Sequence, residues 1–251
     1  MPSTLADMYR FHVANLRSVE RALRHVERLA RAELSTGVGG DLGGQNPTLQ
    51  ALVRLDALLV AAWAECRLMK VLHEPASFND ADRGQVMSKR EHLSKWTTAV
   101  EVSYRRHYDV PRAALGPGSL PHSAYQRLLT LRELLELDLR PVIEVRNKLA
   151  HGQWEYAFTN NGDDVSEPLT RALRTENLLS LHFKMTIVTH LAEIVHNLAV
   201  SQPTFERDFD REFGLVVSAQ RNLQARSYPA YALMMQEKYQ RGRVRRGTNG
   251  A

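Results

Sequence analysis

The residues best suited to chemistry lie in one short run, Arg146-Asn147-Lys148-Leu149-Ala150-His151-Gly152. At about 100° per residue, Val142, Val145 and Leu149 form the buried stripe of a short helix. Asn147 and His151, four apart, then share a polar face, with Glu144 one turn earlier. Arg146 falls at the edge of the stripe, where its stem can pack while its guanidinium reaches the same side. Pro141 suits the first turn of this helix and Gly152 its end. A histidine in the last turn lies where the helix dipole favours the imidazolium, and it exchanges protons near neutral pH. Arg supplies fixed positive charge for a crowded phosphate, and Asn an orienting hydrogen bond. Together they meet the needs of metal-free RNA cleavage: deprotonation of a 2′-hydroxyl, its attack on the adjacent phosphate, and stabilisation of the pentavalent anion. Chance alone accounts for an Arg-x4-His pair in a chain with 27 Arg and 10 His. The weight rests on the conjunction of Asn after the Arg, a His at a helix stop, Gly next, and a long apolar helix downstream.

Other chemistries find little support. His12, His25, His73, His92 and His107 read as single helical histidines. His182, His190 and His196 share one helix without the i, i+4 spacing of a helical metal site. No metal centre and no cofactor is expected. Cys66 is the only cysteine, which excludes an intramolecular disulfide and a Cys-rich zinc site; in an apolar helix it reads as inert.

Of the 33 basic residues 27 are Arg, a bias that fits phosphate recognition or Arg-rich coding. Lys238, Arg241, Arg243, Arg245 and Arg246 account for the whole net charge of +5, so residues 1–237 are neutral. The segment 242–251 reads as a disordered basic tail that either attracts phosphates or is simply solvated. The longest unbroken apolar run is Ala57 to Ala64, and the first 25 residues carry charges without an apolar core. Neither a membrane helix nor a signal peptide is expected, and the reading is a cytoplasmic protein.

Helical periodicity dominates the elements that must carry the motif. Leu5, Tyr9, His12, Leu16, Val19, Leu23, Val26 and Ala30 recur at spacings of four and three, predicting a long amphipathic helix over about 3–34. Residues 35–47 hold five glycines and read as a loop. Further helices are expected at about 47–73, 81–108 with Asp80 as its cap, 122–139, the motif helix, 175–200, 203–225 and 229–241. Trp154, Tyr156 and Phe158 alternate before Asn161-Gly162, which predicts a small β-hairpin. The fold class is all-α: one domain over 1–241 with a core at about 48–200, long flanking helices and that hairpin inserted after the motif helix.

The run RNKLAHG resembles the R-polar-x3-H signature of HEPN-domain ribonucleases, and Arg146 to His151 conform throughout. Trp63 to Leu68 (WAECRL) is similar to an upstream HEPN helix bearing an acid near the catalytic pair, which Glu65 would be here, with Asp56 the weaker candidate. HGQWEYAF and ENLLSLHFK look like a subgroup found in bacterial toxin and antiphage-defence genes. The resemblance implies a four- to five-helix bundle and a homodimer with a composite active site. It also implies an endoribonuclease that leaves 2′,3′-cyclic phosphate ends without metal. His151 would be the acid/base, Arg146 the phosphate stabiliser and Asn147 the positioning residue, with Lys148, Arg243, Arg245 and Arg246 as RNA contacts. RNA and a possible antitoxin or regulatory protein are the implied partners. Some HEPN toxins carry a modifiable Tyr two residues after the His; Gln153 stands there. The alternative is a non-catalytic HEPN module that binds RNA or protein.

Overall fold

A computed structural model describes residues 3–36 and 46–248, with side chains described as far as Arg243. The regular structure among these residues is entirely helical, comprising α1 (Leu5–Thr36), α2 (Pro47–His73), α3 (Asp80–Met87), α4 (His92–His107), α5 (His122–Leu134), a π-helical turn (Leu135–Leu139), α6 (Arg140–Ala150), α7 (Glu167–Thr175), α8 (Leu178–Val200), α9 (Gln202–Ala225) and α10 (Tyr228–Thr248). The expected all-α class is what the chain adopts. The glycine-rich loop falls largely outside the described residues.

α1 and α2 run antiparallel. Asn46 reaches Glu33, Trp63 reaches Glu20, and the His12 and His73 rings lie 4.5 Å apart. α2 starts where its sequence dictates: the Asn46 side-chain Oδ1 accepts from the Leu49 N–H at 3.0 Å, and Pro47 occupies the first turn, where no donor is needed. The Ala57–Ala64 run lies in the core, with Ala57, Val60, Ala61, Trp63 and Ala64 buried. α8 is long and apolar enough to cross a bilayer, although its apolar residues are interrupted, and half of it is buried inside the protein. It runs beside α2 in the same direction, tied by Arg67–Glu193 and His196–Glu74.

Several boundaries differ from expectation for local reasons. The helix expected over 81–108 is two helices, because the chain turns at Ser88–Glu91; Asn79, not Asp80, caps the first, accepting from the Asp82 N–H at 2.8 Å. The helix expected at 122–139 runs into the motif helix without a break. Pro141 has no N–H for the Leu137 carbonyl, and the chain meets this by widening into the π turn. α7 was not expected, and it separates the loop from α8, which begins at an Asn177–Ser180 capping box. α10 continues to Thr248, so the segment expected to be a disordered tail is helical that far.

The expected β-hairpin does not form strands. Its turn is present, with Gly162 at φ +72°, but pairing is limited to one antiparallel bridge, Phe158 to Val165. Two backbone bonds flank that bridge, Thr159 N–H to the Asp164 carbonyl at 2.9 Å and Ser166 N–H to the Ala157 carbonyl at 2.7 Å. On the outer edge the Phe158 N–H donates to Gln153 Oε1 at 2.9 Å while its carbonyl accepts from Lys148 Nζ. Buried apolar residues form two clusters, a large one through α2, α4, α5, α8 and α9, and a smaller one where α1, α2, α7, α8 and α10 meet. α6 joins them, since Val142 and Ile143 belong to the first and Val145 and Leu149 to the second. Leu149 is deeply buried, so the face of α6 opposite it is held rigidly.

Candidate functional site

α6 ends in a Schellman turn that determines where His151 stands. The Gln153 N–H reaches back to the Lys148 carbonyl at 3.0 Å and the Gly152 N–H to Leu149 at 3.1 Å. Gly152 takes φ +77°, a conformation that disfavours any residue with a Cβ. The Trp154 indole N–H donates to the Leu149 carbonyl at 3.0 Å, satisfying another terminal acceptor. His151 is therefore an exposed residue on a well-tied helix end.

His151, Asn147 and Lys148 line a groove of about 760 Å³ between α6, the start of α4 and the loop at Thr159–Asn160. Arg90, His92 and Arg140 line it as well, with Glu91 and Glu144 as its acids. Arg140 is paired with Glu136. The groove is modestly basic and carries two imidazoles.

Arg146 does not line the groove. Its Nη2 lies 2.9 and 3.0 Å from the two Glu65 carboxylate oxygens, and its Nη1 donates to Asn147 Oδ1 at 3.2 Å. Glu65, the acid singled out from WAECRL, thus comes together with the motif across 81 residues of sequence. With Oδ1 engaged, the amide N–H groups are what Asn147 has left to offer the groove. His92 Nε2 lies 3.1 Å from Glu65 Oε1, so one carboxylate faces both a guanidinium and an imidazole. Burial holds the Glu65 carboxyl above its ordinary value, and Arg146 and Lys95 pull it back down. Burial lowers His92, and the charges of Arg146 and Lys95 lower it further, which favours the neutral imidazole. Burial, reinforced by Glu65, pushes the Cys66 thiol up, as its apolar position in the sequence suggests.

Asp56 is not part of this cluster. It lies nine residues before Glu65, half a turn round the helix at 100° per residue, and faces α1 and α8 instead. Arg243 is exposed on α10, which packs chiefly on α1, away from the groove helices. The side chains of Arg245 and Arg246 lie outside those described. The residues missed from the sequence are His92 and Arg90. A continuous helix over 81–108 hides the turn that brings them to the groove, and the polar run Ser88-Lys89-Arg90-Glu91 was the available signal. His190 and His196, set aside for their spacing along one helix, meet Glu212 at 2.8 Å and Glu74 at 3.1 Å through space.

Comparisons of the chain with family models, with curated proteins and with solved structures find no match.

Proposed function

We propose that this chain is a metal-independent endoribonuclease of HEPN type, acting in the cytoplasm as a toxin or antiphage effector. The observation that carries the reading is the groove at the end of α6. There His151 is set by a Schellman turn beside the Asn147 amide and the cations Lys148 and Arg90, with the Arg146–Glu65 pair behind it.

The chemistry follows from what each group can do. An imidazole takes the proton of a ribose 2′-hydroxyl, and the freed oxygen attacks the adjacent phosphorus. The 5′-oxygen leaves with a proton from a second acid, and a 2′,3′-cyclic phosphate remains. Lys148, Arg90 and the Asn147 amide offset the charge on the phosphate oxygens. Arg146 fixes the Asn147 amide through Oδ1, and a phosphate that displaced Glu65 would meet its guanidinium directly. The reaction needs two proton-transfer groups. The resemblance supplies the second from the His151 of a second copy in a homodimer, and His92 is a second imidazole already in the groove. A His92→Gln variant that loses activity assigns the pair to one chain, whereas activity that disappears on dilution below the dimerisation range assigns it to two.

The test is cleavage of single-stranded RNA by the purified protein in EDTA. Products bearing 2′,3′-cyclic phosphate are expected, with His151→Ala and Arg146→Ala inactive. Activity that requires Mg²⁺, or that survives His151→Ala, overturns the reading. The pairing of Arg146 with Glu65 also favours a second reading, in which the motif is structural and the domain binds RNA or a protein without cutting. RNA retention without cleavage would identify it. Growth arrest on expression, relieved by His151→Ala, would support the toxin setting and the existence of an antitoxin.

A further inference from the structure

A second cavity lies on the other side of α2, between α1 and α8, with a volume of about 330 Å³. Leu23, Val60, Leu181 and Met185 give it apolar walls, and Trp63 adds an aromatic one. Asp56 also lines it. That residue is only 5% exposed, and it has no hydrogen bond and no ion pair among the described residues. A buried carboxylate without a partner is unfavourable by several kcal/mol and is ordinarily matched by a cation or a donor. Among the described residues no cation forms an ion pair with it, and the charge of Arg31 offsets its burial only in part. Arg31 is paired with Glu27, and Arg24 lies with Glu20 and Glu27 around the cavity. The ionisable groups from α1 are thus Glu20, Arg24, Glu27 and Arg31, and from α8 His182, so acids outnumber fixed cations among those that line it.

We infer that this cavity binds a small organic cation with an apolar body, its charged nitrogen pairing with Asp56 and its body lying against Trp63 and the aliphatic walls. The chemistry rules in each half of that description. An anion would meet three carboxylates, and a neutral apolar ligand would leave Asp56 unmatched. A hydrated metal ion would waste the aliphatic walls. A primary ammonium or an amidinium supplies donors to the carboxylate, and its positive charge is attracted by the indole face. The volume lies at the lower end of small-molecule sites, which limits the body to a single ring or a short chain. The site is independent of RNA cleavage and stands or falls without it.

The experiment is calorimetric titration of the full chain with phenethylammonium and benzamidinium, alongside the neutral 2-phenylethanol and the anionic phenylacetate. The cations are expected to bind at least about tenfold more tightly than the neutral probe, the usual scale of one charged hydrogen bond, and phenylacetate not at all. Asp56→Asn should remove that preference, and Met185→Trp, which fills the cavity, should abolish binding while thermal unfolding shows the fold intact. Equal binding of cation and neutral probe, binding undiminished in Asp56→Asn, or no heat from either cation at ~10 mM would overturn the inference.

Discussion

Asp56 and Glu65 are carried by one helix, about 14 Å apart along its axis and on opposite sides of it. Asp56 is buried and Glu65 half-buried in the same apolar stretch, yet their surroundings differ in kind. Glu65 meets Arg146 and His92, so its charge is answered by side chains from α6 and α4. Asp56 forms no ion pair among the described residues, and burial, reinforced by Glu27 and only partly offset by Arg31, pushes its carboxyl up to about 7. One carboxyl is paired across three helices, and the other lines a cavity with no ion pair among the described residues. Buried charge alone therefore does not announce function; what decides is whether the fold supplies a partner.

The contrast is sharpest in opposite responses to neutralising each carboxyl. Glu65→Ala leaves the Arg146 guanidinium without its ion partner and should lower stability by about 3 kcal/mol, measured by chemical denaturation. RNA cleavage should fall with it, because Arg146, released from Glu65, no longer holds the Asn147 amide in place. A variant as stable as the parent would mean that the Arg146–Glu65 pair does not hold the groove.

Asp56→Asn should act in the other direction, raising stability at pH 8 by about 2 kcal/mol, since it removes a charge from a buried position without an ion pair. In the parent chain the folded carboxyl holds its proton up to about pH 7, whereas in the unfolded chain it is released near the ordinary value of 3.8. The folded state therefore binds the extra proton between those values, and stability falls as pH rises from about 4 to 7 and is level above. Unfolding titrations across that range should show this slope in the parent and its loss in Asp56→Asn. A destabilised Asp56→Asn at pH 8 would mean that Asp56 has a partner in solution.

Gly152→Ala is a smaller perturbation at the groove end alone. A Cβ there meets nothing within 4 Å, so the cost is the left-handed backbone, roughly 1 kcal/mol in thermal unfolding. The larger loss should appear in cleavage, because His151 is positioned by that turn. Smallest of all is Arg243→Gln on α10, remote from both carboxyls. Stability should be unchanged, and the salt dependence of RNA binding should weaken by at most about one unit of slope.

Much of the motif's local setting was legible without a fold. Leu149 and Val145 at helical spacing, Pro141 before them and Gly152 after them place His151 at a helix stop, and the Schellman turn bears this out. The alternating Trp154, Tyr156 and Phe158 misled, because the hairpin pairs only around one bridge, Phe158 to Val165, and does not extend into strands. The split of α3 from α4 was hidden by an apolar period that continues across the turn.

By itself the sequence determined most of the helices, though not α7 or the break between α3 and α4, since spacing of apolar residues and capping residues act within a turn or two of chain. It also marked Arg146, Asn147, His151 and Glu65, and the structure brings Glu65 to Arg146. Only the tertiary structure decided that Arg146 turns to Glu65, that His92 joins the groove, and that Asp56 faces another cavity altogether. Those outcomes depend on contacts between residues tens of positions apart, whose geometry is set by how α2 is rotated against α1, α6 and α8, and helical periodicity leaves that rotation open.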